Sequence, residues 1–232
     1  MRLSYAGDLL ERVPELVAGA LWVRGLTNLP ADPEVERALA AAEALTHERF
    51  PQPADIARHP PIAAWRQVYS RLGLTPNRYP CAAEALIRRV VEAGQLPRVS
   101  ALVDLCNVTS LVQAIPVAPF DLWRVAGDCT VRFATGAELF VRINGREFEP
   151  IPAGEVVYAD DSREVLSRRW NWRQADKGKV TPATTNLLIT TEAVHADARS
   201  TVDVVLAELA DRIPALFGGA VQTEVFSGDQ AR

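Results

Sequence analysis

The chain has 232 residues, of which 48% are hydrophobic and 23% charged, with a net charge of −4. That length and apolar content suffice for a sizeable core without disulfide or metal staples, and the acidic balance argues against indiscriminate nucleic-acid binding through overall basicity. Cys81, Cys106 and Cys129 form no CxxC pair and no Cys/His cluster, so neither a disulfide framework nor a zinc site is expected, and each reads as core filler.

Asp8, Glu11 and Arg12 interrupt the N-terminal segment where a secretory signal needs an apolar stretch. No run reaches the ~18 apolar residues of a membrane span, and a soluble, cytoplasmic protein is expected. Residues 13–25 read as a strand stopped by Gly25. Asp32 as N-cap and Pro33 at the first helical position open a helix with a stripe of Val35, Ala38, Leu39, Ala42 and Leu45. Pro51, Pro53, Pro60 and Pro61 break the next stretch, and a short helix over 62–72 ends at Gly73. Residues 74–79 read as a loop and as the main boundary. Helices follow over 80–93, with Gly94 as C-cap, and over 100–113; Pro116 and Pro119 end the helical region.

From Asp128 to Ile189 the pattern becomes that of strands. Leu139–Ile143 is followed by Asn144-Gly145, a hairpin signal; Glu155–Tyr158, Val165–Trp172 and Leu187–Thr190 continue the sheet. Ser200 and Asp203, at capping-box spacing, open a last helix with the stripe Val202, Val205, Leu206, Leu209 and Ile213. The order predicts an α+β fold, a mixed and mostly antiparallel sheet with packed helices. The expected units are an N-terminal extension over 1–75 packed on the core, a core over 76–218, and a flexible tail over 219–232.

Three segments carry candidate chemistry. Between 163 and 180 six basic residues and two acidic ones give a local excess of +4, around Arg168-Arg169-Trp170-Asn171-Trp172-Arg173. As a strand this places Arg168, Trp170 and Trp172 on one face and Arg169, Asn171 and Arg173 on the other. Cations on phosphates with indoles stacked on bases are one reading; core tryptophans beneath a solvated arginine face are the other. Lys179 to Asn186 gathers Thr181, Thr184, Thr185 and Asn186, able to bind an ester carbonyl, an amine or a ribose, or to satisfy the loop's own backbone. Asp104 and Asn107 share a helix face and line either a cleft or a solvent stripe. Asp160-Asp161 reads as a turn. His47, His59 and His195 form no cluster, and GxSxG, P-loop and GxGxxG motifs are absent.

Residues 96–134, LPRVSALVDLCNVTSLVQAIPVAPFDLWRVAGDCTVRFA, followed by GEVVYADD at 154–161 and KVTPATTNLLI at 179–189, resemble the B3/B4 tRNA-editing module of the phenylalanyl-tRNA synthetase beta subunit. Asn107, Pro116 and Phe120-Asp121 stand at the module's Asn, Pro and aromatic-Asp positions, and RRWNWR is typical of the family's stand-alone branch. The resemblance covers about residues 76–195. It implies a B3/B4-like fold and water attack on the ester of a mischarged tRNA, without a covalent intermediate. Two departures mark the pocket as rebuilt: Ala118 stands where the module has a His, and Asp176, after Gln174-Ala175, stands where it has a Gly-Gly-Glu.

The expected function is therefore tRNA binding with trans-acting deacylation of mischarged aminoacyl-tRNA. A non-catalytic tRNA- or amino-acid-binding module is the alternative, and a small-molecule amino-acid sensor a third possibility. Asn107, Asp176, Thr184, Thr185 and Asn186 are the expected pocket; Arg169, Trp170, Asn171, Trp172, Arg173 and Lys179 are the expected tRNA contacts. The partners are tRNA or aminoacyl-tRNA and an amino acid, with no membrane, DNA, metal or cofactor expected. No ATP site is seen, so the chain is not a tRNA ligase by itself.

Overall fold

The computed structural model describes residues 1–227. It begins with β1 (Leu3–Tyr5), α1 (Gly7–Arg12) and β2 (Val17–Arg24). α2 (Pro33–Arg49) starts as its sequence requires: Asp32 Oδ1 accepts from the backbone N–H groups of Glu34 and Val35 at 2.9 and 3.1 Å, and Pro33 needs no partner. The prolines that follow start helices as well as separating them, in α3 (Pro53–Ile56) and α4 (Pro60–Arg71). α5 (Ala82–Ala93) ends at Gly94 with φ +86°, and Ser100 caps α6 (Ala101–Gln113).

The segment after α6 is not merely a helix terminator. Pro116 and Pro119 flank and occupy β3 (Val117–Asp121), an edge strand, where a missing N–H on the open side costs no ladder bond. β4 (Cys129–Phe133), β5 (Leu139–Val141), β6 (Phe148–Pro150) and β7 (Val156–Ala159) follow, and Asn144 at φ +61° turns the β5–β6 hairpin as expected. β8 (Ser167–Arg168), β9 (Arg173–Gln174), β10 (Asn186–Ala193), α7 (Ala198–Phe217) and β11 (Ala220–Ser227) complete the chain. α7 starts before Ser200, so no capping box forms there; Ser200 donates to the Asp197 carbonyl and Asp203 pairs with Arg199.

The fold is α+β. Among the described residues one antiparallel sheet has the order β11-β2-β10-β3; a second, β1-β4-β7-β8-β9, is antiparallel except for the parallel β1–β4 pair, and the β5–β6 hairpin is a third. Alternation along β10 explains the layering. Leu187 and Ile189 pack with Val202, Val205, Leu206, Leu209 and Ile213 of α7. Leu188 on the opposite face joins the core shared with Val131 of β4 and Tyr158 of β7. α7 lies so close that a Cβ on Gly19 of β2 would come within 2.9 Å of Val202 and Leu206, which is why the strand tolerates a glycine there.

Strand pairing crosses both expected boundaries. The segment before residue 76, expected as an extension packed on the core, supplies strands to its sheets: β2 lies between β11 and β10, and β1 pairs with β4. The expected tail is β11 over 220–227, paired with all of β2; its remaining positions, 228–232, lie outside the described residues. The cysteines are core filler as expected: burial pushes all three thiols up to about 12, far from nucleophilic range.

Glu138 anchors the loop before β5. Burial opposes its ionisation, but hydrogen bonds from Arg132 and from the Thr135 and Gly136 backbone prevail and hold its pKa at about 2. Its folded value lies below the ordinary 4.5, so its contribution is complete above that pH and is lost as pH falls towards 2. Glu138→Gln is expected to cost roughly 3 kcal/mol at pH 7 and little at pH 2, measured by denaturant unfolding across that range. A gap independent of pH would contradict this.

Candidate functional site

Two adjoining cavities open along the β3 edge. The inner one, about 510 Å³, is walled by Leu86 of α5, Val103 of α6, Val117 to Phe120 of β3, Ile143 and Trp172, and so is mainly apolar. Asn107 projects from α6 into it, and among the described residues its carboxamide has no hydrogen-bond partner. Asp104, a turn earlier, instead accepts from the Val99 backbone N–H at 3.1 Å and is buried.

The floor is polar and was not foreseen. Glu192 follows Leu188 and Thr190 on the inward face of β10, and it is 1% exposed. Its Oε1 accepts from Tyr158 Oη at 2.5 Å, Trp170 Nε1 at 2.8 Å and Tyr5 Oη at 2.9 Å; Oε2 accepts from Asn171 Nδ2 at 3.1 Å. Burial raises the Glu192 pKa, and these four neutral donors act against the rise. Four of its partners come from β1, β7 and the 169–172 turn, so only the folded chain assembles them.

The 168–173 segment is not one strand with two faces. The chain reverses between β8 and β9, with Ser167 opposite Gln174, and the reversal places Arg169 at φ +46° and Trp170 at φ +61°. Trp170 is fully buried, edge-on to Trp65 with centroids 5.1 Å apart, and cannot stack on a base. Asn171 is buried between Tyr69 Oη, 2.8 Å away, and Glu192. Trp172 lines the inner cavity with Arg173 over its ring at 4.5 Å, while Arg169 lies over Tyr79 at 4.1 Å and pairs with Glu155. The sequence excess of cations here is thus spent largely on ring faces and carboxylates; Arg168 also pairs with Glu149 and Glu155.

The outer cavity, about 560 Å³, is lined by Trp123, Arg124, Asp176, Lys179, Thr185 and Asn186, among others. Lys179 borders both cavities, and its Nζ donates to Asn144 Oδ1 at 2.5 Å. Asp176 accepts from the Asn144 backbone N–H at 2.9 Å and pairs with Arg124 at 3.2 Å. It therefore stands in the outer cavity, apart from the inner one that Asn107 lines. Thr184 lines neither: it is buried, donates to Asp121, and accepts from the Thr181 backbone N–H at 2.9 Å. Asn186 Oδ1 accepts from the Gly25 backbone N–H at 3.2 Å while its side chain remains at the outer wall. Asp160 forms the expected turn, accepting from Ser162, and also a buried ion pair with Lys177. Among the described residues no group of three or more His, Cys, Asp or Glu is placed to hold a metal ion, and no helix is long and apolar enough to cross a membrane.

These features define an α+β domain whose edge strand carries an apolar cavity with an acidic floor, next to a polar one. The chain belongs to the B3/4 domain family, whose model matches residues 64–203. The phenylalanine–tRNA ligase beta subunit of Chromobacterium violaceum is 37% identical over 81 residues, 35% of this chain and 10% of that protein. That of Bordetella pertussis is 35% identical over 91 residues, 39% of this chain and 11% of that protein. The chain thus spans about a tenth of the length of these relatives. A crystal structure of an N-terminal fragment of the phenylalanyl-tRNA synthetase beta subunit from Pyrococcus horikoshii aligns with 95% of this chain and 50% of its own, at 14% identity and a TM-score of 0.45.

Proposed function

We propose that this B3/4 domain protein binds aminoacyl-tRNA in the cytoplasm and hydrolyses the ester of a mischarged tRNA, with the aminoacyl group in the inner cavity. The observation that carries this reading is the cavity itself: apolar walls around Asn107 above the buried Glu192 carboxyl. Such a sleeve suits an amino-acid side chain that is apolar along its length and carries a hydrogen-bond donor at its far end.

The chemistry assigned to the chain is positional. One water adds to the ester carbonyl carbon, the bond from that carbon to the ribose oxygen breaks, and the proton the water gives up passes to the departing ribose oxygen; the Asn107 carboxamide donates to the carbonyl oxygen as negative charge develops there, and the cavity walls hold the reacting groups together. Glu192 fixes the amino acid, and Lys179, at the junction of the cavities, faces the esterified nucleotide. Asp176 is assigned to the nucleotide side and not to the amino group, because it lines the outer cavity.

The test is release of free amino acid from a panel of mischarged tRNAs. Turnover with at least one is expected, and absence of turnover with all of them sinks the hydrolase reading. Asn107→Ala is expected to lower kcat about 100-fold with an unchanged melting temperature; equal loss from Asn107→Asp would fit, whereas full activity in Asn107→Ala would remove this residue from the scheme. Binding without hydrolysis has one observation in its favour: Tyr158, Lys179 and Glu192 are the titratable residues lining the inner cavity, with Ala118 in its wall and no histidine among them. Salt-dependent tRNA affinity without ester cleavage would select that alternative.

A further inference from the structure

We infer that Trp123 is the stacking platform for the 3′-terminal nucleoside of a single-stranded nucleic-acid end. The inference rests on the aminoacyl-tRNA reading above and supplies the nucleotide subsite that the arginine-rich turn does not.

Trp123 is 90% exposed, while Trp65 and Trp170 are buried. An indole left almost wholly in water is unusual for so large an apolar side chain. It is not on a loose loop. It stands two residues after the end of β3; its backbone N–H donates to Asp121 Oδ1 at 2.8 Å, and the Leu122 N–H donates to the Asn186 carbonyl at 3.1 Å. The ring therefore stands on a fixed turn at the rim of the outer cavity.

The surroundings match a nucleoside better than an apolar partner. Thr181, Thr185 and Asn186 supply hydroxyl and amide groups of the kind that bind ribose hydroxyls. Arg124 is neutralised by Glu164 and Asp176, but among the described residues Lys179 is in no ion pair, leaving its charge for a phosphate. Lys179 also borders the inner cavity, so a base on Trp123 and an aminoacyl group beside Asn107 belong to one continuous ligand. A ribose ester is such a ligand.

The experiment is a titration of the full chain with the trinucleotide CCA and, separately, with AMP, followed by tryptophan emission. CCA is expected to quench the long-wavelength component that an exposed indole contributes. Trp123→Ala should weaken CCA binding roughly 5- to 100-fold, while Trp123→Phe, which keeps a ring, should recover most of it; melting temperatures should be unchanged for both. CCA binding equal in Trp123→Ala and the unaltered chain, or no CCA binding at all, overturns the inference, as does AMP binding as tightly as CCA, which would make the ligand a free nucleotide. Hydrolysis of mischarged tRNA with the same KM in Trp123→Ala would remove the stacking role and leave the inner-cavity reading standing. Trp123-dependent CCA binding in a chain that hydrolyses no ester would do the reverse.

Discussion

Glu192→Ala is expected to destabilise the protein by about 3–5 kcal/mol, lowering the melting temperature by roughly 10 °C for a chain of this size. The substitution leaves Tyr5, Tyr158, Trp170 and Asn171 with buried donors and no carboxylate to accept them. Glu192→Gln retains one carbonyl oxygen and should lose less. The two variants also separate by pH. Burial raises the folded pKa of Glu192 above its ordinary 4.5, so the native state favours the protonated acid and the acid's contribution is largest below 4.5. It is lost as pH rises through the folded value. Denaturant melts of the parent and Glu192→Gln should therefore shift in favour of Gln as pH increases from 4.5. A Glu192→Ala protein within 1 kcal/mol of the parent would mean that the floor network contributes little.

Ala118→Trp should reduce ester hydrolysis at least 1000-fold while changing the melting temperature by no more than a few degrees. Ala118 lies on the edge strand opposite Thr190, and its side chain borders the inner cavity, so an indole there occupies the space assigned to the aminoacyl group. The cavity gives the ring room that a close-packed core would deny it. CCA binding through Trp123 should survive, because that residue stands in the other cavity. Hydrolysis at the parental rate in Ala118→Trp would place the reaction elsewhere.

Much of the fold was legible because its signals are local. Asp32-Pro33, Gly94 and Asn144-Gly145 act through their own dihedral preferences and nearest N–H groups, and each stands where its sequence places it. β3 was hidden because Pro119 reads as a breaker unless the strand is known to be an edge. The 168–173 error was one of period: alternating side chains describe an extended strand and the two arms of a tight reversal equally well, and only the positive φ at Arg169 and Trp170 distinguishes them.

The candidate site was legible in part. Asn107 and Trp172 reach the inner cavity, Thr185 and Asn186 the outer one, and Lys179 both. Thr184 and Trp170 serve the interior because their polar atoms meet Asp121 and Glu192, partners 63 and 22 residues away in sequence. Glu192 itself carries one faint signal, an acid at period two from Leu188 and Thr190 in a strand whose other residues are apolar or uncharged. Its partner Tyr5 lies 187 residues away, and no spacing rule spans that distance.

The position of β2 also determines when the molecule becomes whole during synthesis. Residues 17–24 leave the ribosome before either neighbour exists, since 186–193 and 220–227 are made more than 160 residues later. Until then the strand has two open edges, so a nascent chain must either be shielded or kept from pairing with another copy. Slow growth anywhere between residues 24 and 220 would lengthen that interval, and a chain cut short before residue 220 would keep one of those edges for good.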